Sequence, residues 1–276
     1  MPELPEVEVV LNHLRSRLCG SIISELQVNR SDIVRIGLSS HRWYNGARII
    51  DIVRRGKSLV FTCQNSQDTR FLLAELGMTG LFLFQKSSPG YEKHIHLTLT
   101  LQESKEPSVH YWNPRRFGRV YLLDGVQLQQ FTQRRFGADP FLLTQKQFHG
   151  LIHNTRGRLK AYLLNQHKIA GIGNIYANEI LYDARIHPHA RGHRLSKAAI
   201  TRLYISTQTI LQKAISYGGS SIRDFRAPDG SRGKFQEQHV IYHKTGQPCP
   251  RGCGTPIKCL IAERSSFYCP TCQKRS

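Results

Sequence analysis

The chain has 276 residues and carries 39 lysines and arginines against 19 aspartates and glutamates, which gives a formal net charge of +20. The length allows one large or two ordinary domains, and so basic a chain without an amphipathic membrane-surface pattern indicates a nucleic-acid partner, although charge alone leaves ribosome and membrane-surface binding open. No apolar run approaches the roughly 18 residues of a membrane span and no signal segment follows the N-terminus, so the sequence predicts a cytosolic protein.

The first predicted element is a helix over residues 6–18, which ends before Gly20. Apolar residues recur along it at helical spacing. They are Val7, Val10, Leu11, Leu14 and Leu18. A buried stripe of this kind would hold the residues before the helix, which begin Met1-Pro2-Glu3, in one position.

Pro2 is a candidate nucleophile. If Met1 is removed, Pro2 presents a secondary amine that can form an iminium ion with an aldehyde carbon, and an α-amino group titrates near a pKa of about 7.7–8.0. The adjacent Glu3 is a candidate for moving the protons of such a reaction. The alternative is that the prolines and glutamates of this stretch only form a stiff, acidic start to the helix.

A strand-rich region follows the helix. The predicted strands are residues 22–28, 47–54, 58–63, 71–75, 81–84, 94–101, 108–112 and 119–123. Residues 94–101 alternate between polar and apolar side chains, so one face of that strand is expected to be buried. Many short strands with few helices predict a β-sandwich or barrel-like domain that ends near residue 130.

Three connections between these strands carry candidate functional residues. Lys57 lies in the tight turn Arg54-Arg55-Gly56-Lys57, as a proton donor, a phosphate contact or simply an exposed lysine. Met78 and Phe117 lie on glycine-flanked turns, Gly77–Gly80 and Asn113–Gly118. Both residue types are usually core residues. On turns beside arginines they also fit wedges that enter a base stack, with Arg115 facing an orphaned base after another base is extruded.

The second half changes to helical periodicity. Thr144 and Gln147 match a capping box, and helices are predicted over residues 158–166, 174–183 and 197–217. Gly171-Ile172-Gly173-Asn174 opens the second of these helices in a region free of acidic residues, which predicts a phosphate site that includes Asn174. Residues 219–236 are rich in Gly, Ser, Arg and Asp, and they predict a mobile loop.

The C-terminal cysteines predict a structural metal site. Two knuckles, formed by Cys249 with Cys253 and by Cys269 with Cys272, have the spacing of a zinc ribbon. Four thiolates suit one closed, tetrahedral Zn²⁺ site. Cys259 lies between the knuckles and is expected to be a spare thiol. Arg264, on the predicted hairpin, is a candidate phosphate ligand.

Together these motifs resemble the formamidopyrimidine-DNA glycosylase family of bacterial base-excision enzymes for oxidised purines. The likeness runs in order from Pro2 to Lys274, through Pro-Glu-Leu-Pro-Glu-Val-Glu, Arg-Arg-Gly-Lys, Leu-Gly-Met-Thr-Gly, Pro-Arg-Arg-Phe-Gly, Gly-Ile-Gly-Asn-Ile-Tyr-Ala and the paired cysteines. Leu4 favours the purine-directed branch, because the endonuclease VIII branch usually has Gly there.

The resemblance implies an α+β fold of three parts. They are an N-terminal β-sandwich domain with an N-terminal helix (1–130), a helix-two-turn-helix domain with a lesion-capping loop (131–236) and a four-cysteine zinc-finger β-hairpin (240–274). DNA would lie in the cleft between the two larger domains.

The resemblance also implies roles for the candidate residues. Pro2 would attack the deoxyribose C1′ and form a Schiff base, while Glu3 would protonate the opened sugar. Lys57 would serve β-elimination and Arg264 δ-elimination. The void-filling trio would be Met78, Arg115 and Phe117, with Arg115 reading an opposing cytosine, and the residues that contact the DNA backbone would be His94, Arg116 and Asn174.

The expected protein is a monomeric DNA glycosylase and AP lyase that excises 8-oxoguanine opposite cytosine and formamidopyrimidines from double-stranded DNA. It would carry one structural Zn²⁺ and need no other cofactor. Three residues depart from the family pattern: Glu75 replaces a His, Ile95 an Asp, and Asn113 an Asp that would orient Arg115. Glu75 would repel a phosphate. The alternatives are a weak or inactive damage-specific DNA-binding protein, an enzyme with endonuclease VIII-like pyrimidine specificity, and an RNA-binding zinc-ribbon protein.

Overall fold

The computed structural model describes residues 1–66, 68–84, 91–222, 225–261 and 264–274. The chain divides into two compact units, of which the first contains Met1–Arg134 with Tyr217–Gln236 and the second contains Arg135–Ser216 with Glu237–Ser276. None of the described helices is both long enough and apolar enough to cross a membrane.

The first unit begins with helix α1 (Leu4–Leu18) and continues as strands. The strands are β1 (Ile22–Val28), β2 (Val34–Ile36), β3 (Arg48–Arg55), β4 (Ser58–Asn65), β5 (Asp68–Glu75), β6 (Leu81–Leu83), β7 (Ile95–Gln102), β8 (Ser108–Trp112) and β9 (Arg119–Leu123). Helix α2 (Gly125–Arg135) follows them. The predicted helix and all the predicted strands are therefore present, with small shifts at some of their ends, while β2 and α2 were not predicted.

The strands pair in the order β2-β9-β5-β4-β3-β1-β7-β8-β6. Strands β1 and β3 share one ladder pair, Ile22 with Arg48, so the sheet bends there into two halves. The halves face each other, because the rings of Phe61 on β4 and Phe82 on β6 lie 5.5 Å apart in the common core. This arrangement is the predicted β-sandwich, and the apolar stripe of α1 packs into the same core.

The segment Tyr217–Gln236 belongs to the first unit. Phe225 joins the core of the sandwich, and the carbonyl of Pro228 accepts a hydrogen bond from the Phe84 N–H at 3.0 Å. Asp229 pairs with His13 of α1 at 3.3 Å. Residues 223 and 224 of the predicted capping loop lie outside the described residues.

In the described part of the second unit there are four α-helices. They are α3 (Gln145–His153), α4 (Leu159–Leu164), α5 (Asn174–Asp183) and α6 (Lys197–Ser216). Thr144 caps α3 through the predicted capping box with Gln147. The unit ends in the antiparallel hairpin of β10 (Lys258–Ile261) and β11 (Ser265–Tyr268). Eight of the ten residues of α5 are buried, so this helix is the centre around which the unit packs.

Candidate functional site

The N-terminal residues are fixed by a buried carboxylate. Pro2 is buried and Glu3 is 2% exposed, with an extended backbone at the N-cap of α1. Glu6 accepts a hydrogen bond from the Glu3 N–H at 2.8 Å through one oxygen and from the Ser220 N–H at 2.7 Å through the other. The Glu6 side chain therefore holds both Glu3, which follows the candidate nucleophile Pro2, and the segment Tyr217–Gln236.

Gly219 allows this close approach. Its φ of +78° is in the left-handed region, and a Cβ at this position would lie 2.9 Å from Oε1 of Glu6. A side chain here would be strained and would also push Glu6 away from Ser220. Gly219 is thus part of the N-terminal site.

Lys57 lies in the β3–β4 turn, which is attached to α1. The turn contains Gly56 with a φ of +58°. Arg54 donates to the Glu8 carboxylate of α1 at 2.5 Å and to the Gly56 carbonyl at 3.3 Å. The side chains of Arg54 and Glu8 are only 7% and 23% exposed, so water screens this ion pair little. The helix that follows Pro2 therefore also positions the turn that carries Lys57.

We expect Glu8→Gln to loosen this turn. Removing the carboxylate from the mostly buried Arg54 should lower the free energy of unfolding by about 1–3 kcal/mol. Glu103→Gln is the matched control, because Glu103 pairs with Arg48 at 2.9 Å where both side chains are about half exposed, and such pairs contribute about 0–1 kcal/mol. Urea unfolding of both variants tests this, and equal losses of stability would contradict it.

The predicted wedge residues project from the surface of the first unit. Met78 and Phe117 are 40% and 53% exposed, and Arg115 and Arg116 are also exposed. The Arg115 guanidinium lies 5.1 Å from the centre of the Phe117 ring, which is a cation–π distance. Apolar side chains that lie on turns outside the core can insert into a base stack while the domain stays folded.

His94, directly before β7, and His96, within β7, differ in environment. His94 is half-buried against the edge of the Trp112 ring, while His96 is buried and donates from Nε2 to the Asn113 carbonyl at 2.8 Å. Burial lowers the pKa of His96, which keeps its ring neutral. His94 is therefore the histidine available to a ligand, and His96 supports the turn after β8.

Glu75 and Asn113, two of the departures from the family pattern, take part in the structure of the sheet. The Glu75 carboxylate accepts from the Tyr121 hydroxyl at 3.2 Å, and its carbonyl accepts from the Tyr111 hydroxyl at 2.7 Å. Asn113 is fully buried and bonds Thr79 and Tyr111. Asn113 lacks the charge of the family's Asp, and through these hydrogen bonds it supports the turn that carries Arg115.

In the second unit, the predicted phosphate loop precedes α5. Gly171 has a φ of +105°, and Gln166 fixes the loop by accepting from the Gly171 N–H and donating to the Ile172 carbonyl, at 2.8 and 2.9 Å. Asn174 begins α5, and its Oδ1 is buried without a hydrogen-bond partner among the described residues. Burying an amide oxygen without a hydrogen bond costs free energy, so we expect water or a ligand to donate one to Asn174 Oδ1.

Two polar residues on the buried face of α5 attach the C-terminal module. Asn178 accepts from the Phe267 N–H of β11 at 2.8 Å. Glu179 accepts from the N–H groups of Val240, Ile241 and Tyr242 at 2.8–3.1 Å. Burial raises the pKa of Glu179, and these three donors oppose that rise. The phosphate loop and the zinc module thus share one rigid helix.

Arg264 is exposed directly before β11, and a buried lysine holds the two residues that follow it. Lys160 is 4% exposed and donates to the Ser265 carbonyl at 2.6 Å and to the Ser266 hydroxyl at 2.9 Å. Arg158, Lys160, His189 and Arg264 line one small pocket. This cationic pocket is suited to an anionic group such as a phosphate.

We expect Lys160→Met to loosen the hairpin that presents Arg264. Hydrogen bonds to a charged donor stabilise a fold by about 1.5–3 kcal/mol each. Without them the hairpin no longer holds Arg264 in place, so we expect DNA affinity to fall by at least about tenfold. Lys197→Met removes the same charge from an exposed position at the start of α6. Fluorescence anisotropy at fixed salt compares the two variants, and equal losses would mean that only net charge matters.

The four predicted metal ligands meet in the C-terminal module. The Sγ atoms of Cys249, Cys253, Cys269 and Cys272 all lie within 4.8 Å of one another. Cys249 and Cys272 are 3.8 Å apart and Cys253 and Cys269 are 3.5 Å apart, Sγ to Sγ. Four sulfurs at about 2.3 Å from a central zinc are about 3.8 Å apart, so the cluster fits one structural Zn²⁺.

The sequence analysis did not identify several residues that position this chemistry. They are Glu6, Glu8, Lys160, Asn178 and Glu179. All are polar residues on otherwise buried helix faces, and a buried charge normally needs a partner. The signal was therefore a polar or charged residue inside an apolar stripe, but the sequence does not say which distant groups form its hydrogen bonds.

Comparison with known proteins covers the whole chain. Residues 1–120 match the formamidopyrimidine-DNA glycosylase N-terminal domain, residues 136–226 the H2TH domain of that enzyme, and residues 246–275 the zinc finger found in FPG and IleRS. Formamidopyrimidine-DNA glycosylase from Streptococcus thermophilus is 36% identical over 280 residues, which is 100% of each chain.

Solved structures agree with this comparison. A complex of a Lactococcus lactis FPG variant with DNA containing Fapy-dG has a TM-score of 0.87 at 36% identity and covers 99% of this chain and 100% of that one. A complex of the wild-type L. lactis enzyme with DNA containing an oxidised pyrimidine has a TM-score of 0.85 at 35% identity, with the same coverage. The chain therefore belongs to the formamidopyrimidine-DNA glycosylase family, and it is a DNA glycosylase of base-excision repair.

Proposed function

We propose that this protein is a bifunctional DNA glycosylase and AP lyase that excises 8-oxoguanine opposite cytosine and formamidopyrimidines from double-stranded DNA. It acts as a monomer in the bacterial cytosol. The observation that carries the proposal is the buried Pro2-Glu3 start of α1, which the Glu6 carboxylate holds in place. A nucleophile and a proton carrier in fixed positions are what an imine-forming reaction needs.

The first step is displacement of the damaged base. After removal of Met1, the Pro2 nitrogen attacks the deoxyribose C1′, the bond from C1′ to the base breaks, and the base leaves with a proton. Glu3 then protonates the ring oxygen O4′ as the sugar opens, which leaves a cationic iminium between Pro2 and C1′. The positive nitrogen withdraws electrons from C1′ and acidifies the protons on C2′.

Two eliminations follow from that acidity. Loss of a C2′ proton expels the 3′ phosphate as the bond from C3′ to its oxygen breaks, and loss of the C4′ proton then expels the 5′ phosphate as the bond from C5′ to its oxygen breaks. Lys57 serves the first elimination and Arg264 the second, and both stabilise departing phosphates. Water finally hydrolyses the iminium and frees Pro2.

The remaining candidate residues hold the duplex. Met78, Arg115 and Phe117 fill the space left by the extruded base, and Arg115 reads the cytosine that lost its partner. His94, Arg116 and Asn174 bind the phosphate backbone. The exposure of the wedge residues supports this assignment, since each lies on a turn outside the core.

Oxidised pyrimidines are a second candidate substrate class. The related L. lactis enzyme has been solved in complex with DNA that contains an oxidised pyrimidine. A duplex with an oxidised pyrimidine opposite its normal partner therefore belongs in every substrate comparison.

Borohydride trapping tests the proposal. The protein is incubated with a duplex that contains 8-oxoguanine opposite cytosine, the iminium is reduced, and the adduct is mapped by mass spectrometry. We expect a covalent link to Pro2 and none in molecules that retain Met1. Tight binding without any adduct, on purine, pyrimidine and abasic duplexes alike, would support a non-catalytic damage-binding protein.

A further inference from the structure

Two surface turns of the first unit lie side by side. One joins β5 to β6 and carries Met78, and the other joins β8 to β9 and carries Arg115 and Phe117. Strands β5 and β9 pair in one half of the sandwich, and β6 and β8 pair in the other. Both turns therefore pass between the halves at the same place.

The backbones of the two turns are in direct contact. Gly77 has a φ of +61°, and a Cβ there would lie 2.5 Å from the Gly118 nitrogen and 2.6 Å from the Phe117 carbonyl carbon. A Cβ on Gly118 would lie 1.9 Å from the Tyr111 hydroxyl. No side chain separates the turns at these positions, so a shift of one turn is passed to the other.

The buried side chain of Asn113 forms a second connection between the turns. It is 0% exposed, and its Oδ1 accepts from the Thr79 hydroxyl, next to Met78, at 3.3 Å. Its Nδ2 donates to the Tyr111 hydroxyl at 3.3 Å, and that hydroxyl donates to the Glu75 carbonyl at 2.7 Å. These hydrogen bonds run from Thr79 in the β5–β6 turn through Asn113 and Tyr111 to Glu75, the last residue of β5.

Asn113 also fixes the backbone that directs Arg115. Its carbonyl accepts from the Arg116 N–H at 3.1 Å and from His96 Nε2 at 2.8 Å. Arg116 has a φ of +55°, a left-handed conformation that costs a non-glycine residue energy and persists only when its surroundings hold it. The direction of the exposed arginine and phenylalanine therefore depends on the backbone of Asn113, and the buried side-chain hydrogen bonds of Asn113 to Thr79 and Tyr111 hold that backbone in place.

We propose that Asn113 is a positioning residue that joins the two turns into one rigid wedge and thereby sets the preference for cytosine opposite the lesion. The inference rests on the proposed function, in which Met78, Arg115 and Phe117 enter the base stack together. A carboxamide suits the position because it accepts and donates at once, whereas a buried carboxylate only accepts and keeps the cost of burying its charge.

Asn113→Ala and Thr79→Val, alone and combined, test the inference. Each removes one end of the same hydrogen bond, and we expect excision opposite cytosine relative to adenine to fall about tenfold, since small displacements of positioning groups cost up to about 100-fold in rate. In the combined variant this cytosine preference should fall no more than about twofold further than in Asn113→Ala, because both changes break the same hydrogen bond. A 2-aminopurine beside the lesion reports insertion of the wedge separately from excision.

Thr98→Val is the matched control. Thr98 lies on β7, in the same domain but outside both turns, and its hydroxyl forms a hydrogen bond with His110 Nδ1 at 3.1 Å. We expect this variant to keep the wild-type cytosine preference even if its thermal midpoint falls. Thr79→Val is the deciding variant if Asn113→Ala does not fold, because it removes a single hydroxyl and nearly preserves the volume of the side chain.

The outcomes separate this inference from the proposed function. Wild-type protein that neither excises a base nor forms an adduct would overturn both. Wild-type protein that excises opposite cytosine, together with folded variants that keep the same preference and the same 2-aminopurine signal, would overturn the role of Asn113 alone. A loss of preference in Thr98→Val equal to that in Thr79→Val would mean that only general stability matters.

Discussion

Pro2→Gly should lower the rate of base excision by at least about 100-fold while DNA binding changes little. Glycine still presents a terminal amine, but it is a primary amine whose iminium can lose a proton and become a neutral imine. Proline forms an iminium that has no such proton and stays cationic, so it continues to withdraw electrons. Glycine also removes the ring that is buried at the start of α1 and gives the amine new conformational freedom.

Single-turnover excision and fluorescence anisotropy on the same 8-oxoguanine duplex measure the two parts of this result. The matched control is the same protein with Met1 retained, because it keeps the proline ring and blocks only the nitrogen. It should bind DNA and form no adduct. Unchanged turnover by either protein would exclude Pro2 as the nucleophile, and a loss of binding equal to the loss of turnover would make Pro2 a structural residue.

Local patterns predicted the parts of the fold that depend on neighbours in sequence. Strand alternation predicted most strands of the sandwich, and cysteine spacing predicted the metal cluster, because ligands on two short knuckles meet whenever the hairpin forms. Helix α2 was missed because none of its residues is buried, which leaves no apolar stripe to detect. Strand β2 was missed because its three residues pair in parallel with β9, which lies far away in the sequence.

The position of Tyr217–Gln236 was also beyond local patterns. Its composition predicts a loop, and the decisive contact is the hydrogen bond from the Ser220 N–H to Glu6, 214 residues earlier in the chain. Asn113 is a similar case, since the sequence shows only that an amide replaces an acid. The hydrogen bonds to Thr79 and Tyr111, which give the amide its role, appear only in the folded domain.

Removal of the metal should disrupt the C-terminal module more than any single hydrogen-bond variant. The core of the module is small and contains two of the ligands themselves. Its buried residues are Tyr182, Ile241, Cys249, Ile257, Phe267 and Cys269. A core of this size gives little stability without a metal, and structural zinc contributes about 10–16 kcal/mol in zinc-finger peptides. Arg264 would lose its fixed position when the β10–β11 hairpin loses order.

Cys269→Ser makes this prediction specific. Cys269 is fully buried, accepts from the Cys272 N–H at 3.4 Å and is one of the four clustered thiols, so its loss should release the zinc and weaken DNA binding by at least about tenfold. Cys259→Ser is the matched control, because the same substitution on β10 leaves all four ligands in place. Zinc content by mass spectrometry, together with anisotropy, should separate the variants: about one zinc per chain and wild-type affinity for Cys259→Ser, and neither for Cys269→Ser. A Cys269→Ser protein that keeps its zinc and its affinity would mean that three thiolates suffice to order the hairpin.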